Sequence, residues 1–364
     1  TTMTLIKVKS RGTDNVSGRK NLIINGAMNV AQRGTSFTSV SGSAYHLDRF
    51  RTGMGDTSAR FTVTQATAGL NGFGNSLKYD CTTAESSLSN ADARLFISHR
   101  MEGQNLQQLK KGTSSAEKIT ISFYVKSTKT GTYILNIVDS DNNRQISKAY
   151  TISASNTWEQ KILTFDGDTT GALTNDNNTS LQLNWWLIAG TGHSGGTLAT
   201  SWQGYAGASD YEDSAVGQVN LGDNTSNTWE ITGIQMEVGD SASDFEHRSF
   251  GEELKLCERY FYMTYPYGAT IGAASSVSFL GRFLDGTQSY GSIQVPNVNM
   301  RASPTKVIYN TATGTVSQIR TDTQNVAAAI TGTGANGGGW IYVNAVSVGT
   351  STSVKAHLTM DAEL

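Results

Sequence analysis

Proline is nearly absent, with three among 364 residues, and cysteine is scarcer still, with Cys81 and Cys257 alone. Proline removes a ladder hydrogen bond, so a chain built mainly of paired strands keeps it out of strand interiors. Two cysteines this far apart exclude a disulfide scaffold and a thiolate metal framework. Charge is thin as well: charged residues make up 16% of the chain, against the usual ~25%, and Lys+Arg 28 against Asp+Glu 30 leaves a net charge of -2. No positive field draws the chain onto nucleic acid or an anionic membrane. No apolar run approaches the ~18 residues of a spanning helix. Residues 1–20 are polar and basic without an apolar centre, so the expectation is neither a signal peptide nor membrane insertion.

What the chain does have is glycine, 38 residues of it, together with abundant Ser, Thr and Asn, the residues of tight turns. Between the turns run period-two segments. In 118–126, Ile119, Ile121, Phe123 and Val125 share one face, and similar runs follow at 132–138, 157–165 and 180–188. The intervening 128–131, 139–143 and 166–171 are rich in Asp, Asn, Thr and Gly. One segment breaks the pattern. Phe250, Leu254, Cys257 and Phe261 repeat at helical spacing behind Ser249 and Glu252, a capping box. Cys257 reads as a small buried hydrophobe on that stripe. Strand signals resume at 276–284, 290–295, 306–309, 315–319 and 340–348.

These patterns predict an all-β fold: an antiparallel jelly-roll β-sandwich followed by a short linking helix and a smaller C-terminal β-sandwich. The expected divisions are an arm over 1–18, a large β domain over 19–248, the helix within 249–262, and a smaller domain over 263–364, which agrees with the length. No fixed-period repeat supports a β-helix.

Candidate chemistry is sparse. Gly192-His193-Ser194-Gly195-Gly196 matches the string of a nucleophile elbow, with Asp210, Asp213 and His247 following in hydrolase order. An elbow needs a strand running into a helix, and no helical stripe follows, so a loop is expected. Glu102, Glu237 and Glu246 could supply a carboxylate pair, but glycoside cleavage depends on a spatial separation that sequence does not give. Asp139 and Asp141, and Asp166 and Asp168, fall in oxygen-rich clusters that could hold structural calcium. The same residues are ordinary in hairpin turns. The five histidines show no metal-ligand spacing, and no cofactor motif is present.

For glycan binding the candidates are aromatic. Trp185 and Trp186 are neighbours on a strand and face opposite ways, so one is core while Trp186, with Trp202, could form a sugar platform or pack between layers. Asn336, within the glycine-rich 331–339, and Trp340 just beyond it could present an amide and an aromatic face. The alternative is a disordered connection with Trp340 turned into the core.

Two separated motifs carry a family resemblance. Arg19-Lys20-Asn21-Leu22-Ile23-Ile24-Asn25-Gly26-Ala27-Met28-Asn29-Val30-Ala31-Gln32-Arg33-Gly34-Thr35-Ser36-Phe37, followed by Tyr45-His46-Leu47-Asp48-Arg49-Phe50, resembles the opening of a family of virion proteins common in marine and cyanobacterial bacteriophages. Ile231-Thr232-Gly233-Ile234-Gln235-Met236-Glu237-Val238-Gly239, then Phe245-Glu246-His247-Arg248-Ser249-Phe250-Gly251-Glu252-Glu253-Leu254-Lys255-Leu256-Cys257-Glu258-Arg259-Tyr260, is similar to its closing signature. Arg100-Met101-Glu102-Gly103 fits between them, and Met236 stands where the family usually has leucine.

The resemblance spans about 19–262 and implies a carbohydrate-binding-module-like jelly roll in a tail or capsid fibre protein, with no catalytic residues to carry over. The expected function is a non-enzymatic structural and adhesion protein of a phage virion, a tail fibre or related fibre contributing to host-surface recognition. A capsid fibre or decoration protein, a tail-associated polysaccharide depolymerase and a free carbohydrate-binding module are the alternatives. Expected partners are other virion proteins through the N-terminal arm, a host surface glycan, and two further copies in a homotrimer. The last follows from analogy and from the apolar stretch 260–267, which needs burial at a domain or chain interface.

Overall fold

The computed structural model describes residues 20–205, 213–275, 279–283, 290–295, 299–321, 324–333, 339–345 and 353–364; the arm 1–18 and Asn336 lie outside them. The strands run β1 (Ser36–Val40), β2 (Ala44–Leu47), β3 (Phe50–Gly55), β4 (Arg60–Leu70), β5 (Phe73–Thr83), β6 (Arg94–Glu102), β7 (Ile119–Ser127), β8 (Gly131–Asp139), β9 (Arg144–Ile152), β10 (Glu159–Phe165) and β11 (Thr179–Ala189). After a one-turn helix α1 (Thr191–Ser194) come β12 (Gln203–Gly204) and β13 (Thr228–Val238). They pair antiparallel into a six-stranded sheet, β1-β4-β5-β13-β7-β10, and a seven-stranded sheet, β12-β9-β8-β11-β6-β3-β2.

The facing sides of the two sheets make the jelly-roll core, and period two explains which residues enter it. Ile119, Ile121, Phe123 and Val125 of β7 are buried against Tyr133, Leu135 and Ile137 of β8 and Leu181, Leu183 and Trp185 of β11. Phe123 meets Trp185 edge-on, with ring centroids 6.0 Å apart. The alternate residues of the seven-stranded sheet point away from this core onto an outer face.

Helix α2 (Phe250–Glu258) follows, capped by Ser249 and Glu252 in the reciprocal box that the sequence predicts. Its buried side is Glu253 and Cys257, while Phe250 stays exposed and leans edge-on against Tyr267. The remaining strands are β14 (Phe261–Met263), β15 (Phe279–Phe283), β16 (Tyr290–Val295), β17 (Thr305–Asn310), β18 (Gln318–Arg320), β19 (Asn325–Thr333), β20 (Gly339–Ala345) and β21 (Ser353–Asp361). They pair in the order β14-β21-β15-β16-β20-β19-β18, β17 also pairs β21, and β18 meets β21 at Arg320 and Lys355. The smaller unit is therefore an antiparallel sheet curled until its ends share β21. Ile308, Ile319, Val326, Val354 and Ala356 form one of its apolar clusters.

The two motifs of the sequence meet where this unit joins the jelly roll. Asn21 donates through Nδ2 to the carbonyl of Ile234 at 3.1 Å, and the Asn25 amide donates to Glu253 at 2.6 Å. Arg248 donates to the carbonyl of Ile23 at 2.9 Å. Gly26 lies so close to β13 that an added Cβ would fall 2.1 Å from the Ile234 oxygen. Arg259 forks onto Glu102 at 2.8 and 2.7 Å, and the Tyr260 hydroxyl donates to the same carboxylate at 2.5 Å.

The end of the described chain closes the junction. Arg49 is buried, pairs with Glu363 and lies 3.4 Å over the Tyr260 ring. Arg33 stands over the Phe261 ring at 3.8 Å and pairs with Asp361 at 3.1 Å. Tyr260, Phe261, Tyr262, Met263 and Tyr265 are all buried within this one chain. The apolar stretch that motivated a homotrimer is thus satisfied at an internal junction.

Candidate functional site

The outer face of the seven-stranded sheet carries a cleft of about 530 Å³. Strand register builds it in rows. Gly53, Phe96 and Trp186 stand opposite one another across β3, β6 and β11. The next row is Arg51, Ser98, Asn184, Asn136 and Ser147 across β3, β6, β11, β8 and β9, and beyond it stand Arg100, Gln182, Val138 and Gln145. An aromatic row therefore borders a row of hydroxyls and amides, with guanidinium groups at one end. The alternation that sends Leu181, Leu183 and Trp185 inward sends Gln182, Asn184 and Trp186 to this face.

A covering segment forms the wall. Helix α1 places His193 against Trp186, ring centroids 5.1 Å apart, and the Ala215 amide donates to the His193 carbonyl at 2.9 Å. Ser147 donates to the carbonyl of Ser214 at 2.8 Å, and Gln145 donates to Asp213 at 2.5 Å. Phe96 packs on Trp186 at 5.0 Å and fills the space over Gly53, where an added Cβ would lie 2.3 Å from its ring. Burial, then the nearby Arg94 charge, lowers the His193 pKa against the opposing pull of Asp92 and Asp56, so the ring is neutral at neutral pH.

The amides of the floor are only partly satisfied. Asn136 donates to Ser147 Oγ at 2.9 Å and Gln182 to Ser140 Oγ at 2.9 Å. Ser98 Oγ, Asn184 Oδ1 and Trp186 Nε1 are buried without a hydrogen-bond partner. Buried polar atoms are ordinarily paired, and these three share the outer face of the seven-stranded sheet. Among the described lining residues Asp92 is the one carboxylate.

The sequence candidates fall in several places. Trp186 does lie on the cleft, but at 3% exposure between Phe96 and His193 it is a wall and not an open platform. Trp202 is engaged elsewhere: its Nε1 donates to the Asp166 carbonyl at 2.7 Å, and its ring takes Lys111 Nζ at 5.0 Å. Trp340 sits in β20 opposite Gln294 of β16, a strand position beyond the glycine-rich loop.

Asp139 and Asp168 do converge, around a protein cation. Lys111 Nζ is 2.5 Å from Asp139 and 2.9 Å from Asp168, and Arg144 adds contacts to Asp168 at 2.6 and 3.0 Å. Burial works against the Asp168 charge, but Arg144 and Lys111 outweigh it and hold the carboxyl below its usual range. Asp141 instead accepts from the Thr174 amide at 2.9 Å, and exposed Asp166 pairs with Lys118 at 3.2 Å. Lys111 and Arg144 thus stand beside Asp139 and Asp168, two of the residues that could hold calcium or serve as turns, and the described residues hold no cluster of three or more His, Cys, Asp or Glu suited to a metal.

The elbow string falls in the one-turn helix α1 and the glycines after it, where Ser194 Oγ donates to the Gly190 carbonyl at 2.9 Å. Glu102, Glu237 and Glu246 serve the junction and the β13 neighbourhood: Glu237 accepts from Ser243 at 2.9 Å and Glu246 from the Asn21 amide at 2.8 Å. The cleft floor itself, Phe96, Arg100, Asn136, Gln182 and Asn184, was not singled out in the sequence. The one available signal was the amide-rich outward half of β11.

No protein-family model matches the chain, and no curated protein matches it. Solved structures do. A CBM4 structure aligns over 59% of this chain and 97% of its own, at 11% identity and TM-score 0.31. The enzymatically active domain of tailspike protein 4 from bacteriophage CBA120 aligns over 60% of this chain and 21% of that one, at 12% identity and TM-score 0.28. The family 11 carbohydrate-binding module of a cellulosomal cellulase of Clostridium thermocellum aligns over 58% and 100%, at 12% identity and TM-score 0.29. These likenesses concern the antiparallel β architecture alone.

Proposed function

We propose that this chain is a non-enzymatic adhesion protein of a phage virion that holds a glycan in the cleft of the seven-stranded sheet. The observation that carries the binding step is the floor: the half-buried Phe96 ring beside a row of hydroxyls and amides, with buried Ser98 Oγ and Asn184 Oδ1 lacking partners. Sugars offer apolar ring faces and outward hydroxyls, and such a surface meets both. A single carboxylate in the described lining supports binding in preference to cleavage, which conventionally uses two. The virion setting rests on the two motifs, with the arm 1–18 as the attachment to the particle and a capsid position as the alternative.

The test is calorimetric titration of the full chain with oligosaccharides selected on a glycan array, alongside an assay for new reducing ends. Saturable binding without product is expected, with Asn184→Ala and Gln182→Ala together abolishing it while leaving the unfolding curve in place. Absence of any bound glycan would overturn the binding reading, and sustained release of reducing ends would make the chain a depolymerase.

A further inference from the structure

The cleft, at Arg100, and the adjoining strand β3, at Arg51, carry charge that glycan binding as such does not require. Arg51 of β3 stands across from Ser98, and Arg100 lies two residues beyond Ser98 on β6. Both side chains are partly buried. Among the described residues, neither guanidinium meets a carboxylate side chain. Arg100 Nη1 donates to the main-chain oxygen of Leu364 at 2.8 Å, its Nε is buried without a partner, and the Arg51 guanidinium makes no hydrogen bond or ion pair with any described residue. Arg94, in contrast, is neutralised by Asp56 at 2.5 Å. Burial first, then the charge of Arg100, holds Arg51 below the ordinary arginine value, with Tyr45 opposing and Arg94 adding to the shift. Two like charges kept together in a partly desolvated wall are stabilised when an anion arrives. The planar guanidinium fork matches carboxylate and sulfate oxygens.

Building on the glycan reading above, we propose that the cleft selects an acidic polysaccharide. Arg51 and Arg100 take the carboxylate or sulfate group, and Asn184 and Asn136 take ring hydroxyls. The anion is part of the sugar, because the guanidinium groups adjoin the amide row and not an isolated basic surface.

The full chain is titrated with polygalacturonate, with a sulfated galactan and with a neutral mixed-linkage β-glucan, at low and high salt. An acidic polymer is expected to bind at least about tenfold more tightly than the neutral one, the scale of one charge-assisted hydrogen bond. High salt should erase that advantage. The uronate and sulfate arms tell which anion is held. Among the described residues Arg51 has no bonding partner to lose, so Arg51→Gln should fold as the parent does and lose the preference. Equal affinity for acidic and neutral polymers, or an intact preference in Arg51→Gln, overturns acid selection and leaves glycan binding standing. Duplex DNA binding with the same dependence on Arg51 would mark a generic anion surface and also overturn it. Failure of all three polymers together with the glycan array removes the underlying glycan reading, a result distinct from loss of preference.

Discussion

Arg49 and Glu363 stand 314 residues apart in the chain and form one buried ion pair, closed from the other side by the Tyr260 ring. Burial works against the Arg49 charge, but Glu363, with Tyr260 and Tyr45, raises its pKa above the ordinary arginine value. Glu363→Gln leaves a buried guanidinium without its counter-charge, and such a loss typically costs ~3–5 kcal/mol. Urea unfolding should show a lower midpoint for Glu363→Gln. The double variant Arg49→Met with Glu363→Leu should recover much of the loss. A midpoint unchanged in the single variant would mean the pair does not join the two units.

Lys111 makes a comparable prediction for the turn cluster. Lys111→Met sets the buried carboxylates of Asp139 and Asp168 near each other without their shared cation, and a loss of ~3 kcal/mol is expected. Chelation or addition of millimolar calcium should leave the melting temperature of the parent chain unchanged, because Lys111 and Arg144 already supply the positive charge. A rise on adding calcium to the parent would restore the metal reading of Asp139, Asp141, Asp166 and Asp168.

The cleft wall is expected to be sensitive to volume. Gly53→Val must push the Phe96 ring off its seat, since even a Cβ would lie 2.3 Å from it. Glycan affinity should fall by about tenfold, the effect of ~1.4 kcal/mol, while far-ultraviolet dichroism stays that of the parent. Trp186→Ala, which empties a nearly closed site, should instead lower stability by ~3–5 kcal/mol. Unaltered affinity in Gly53→Val would place the sugar away from the Phe96 row.

Stability should also depend on pH in a defined direction. Burial, with help from Arg33, lowers His46 to about 4 from its ordinary 6.5. Between those values the unfolded chain binds the proton and the folded chain does not. Stability is therefore fully present above pH 6.5 and is lost as pH falls toward 4, by ~3 kcal/mol for this group. His99, depressed chiefly by burial and then by Arg49, acts in the same direction. Unfolding midpoints across this window should fall with pH, and His46→Gln should reduce the slope. A flat profile would show that His46 is solvated.

Much of the fold was legible because period two is a local signal. Ile119, Ile121, Phe123 and Val125 announced β7, and Ser249 with Glu252 announced the start of α2. The cleft was not legible, because its rows exist only once register is set. Phe96, Asn136 and Asn184 each look like the outward half of an ordinary strand, and only pairing of β6, β11 and β8 makes them neighbours. The turn aspartates left turn and calcium readings open in the sequence, and the cation beside Asp139 and Asp168 comes from Lys111, 28 residues before Asp139. The two motifs were legible as strings, and their physical meaning is the junction: Arg248 donates to Asn21, Asn25 donates to Glu253, Gln32 donates to the Phe261 carbonyl, and Arg49 pairs with Glu363.

The placement of Glu363 bears on how the protein is made. The socket around Arg49 is built by β2 and β3, yet the group that fills it is synthesised 314 residues later. An interrupted chain that stops short of Glu363 would emerge with its jelly roll in place and a positive charge sealed inside it. Such a fragment should be the one a protease removes first.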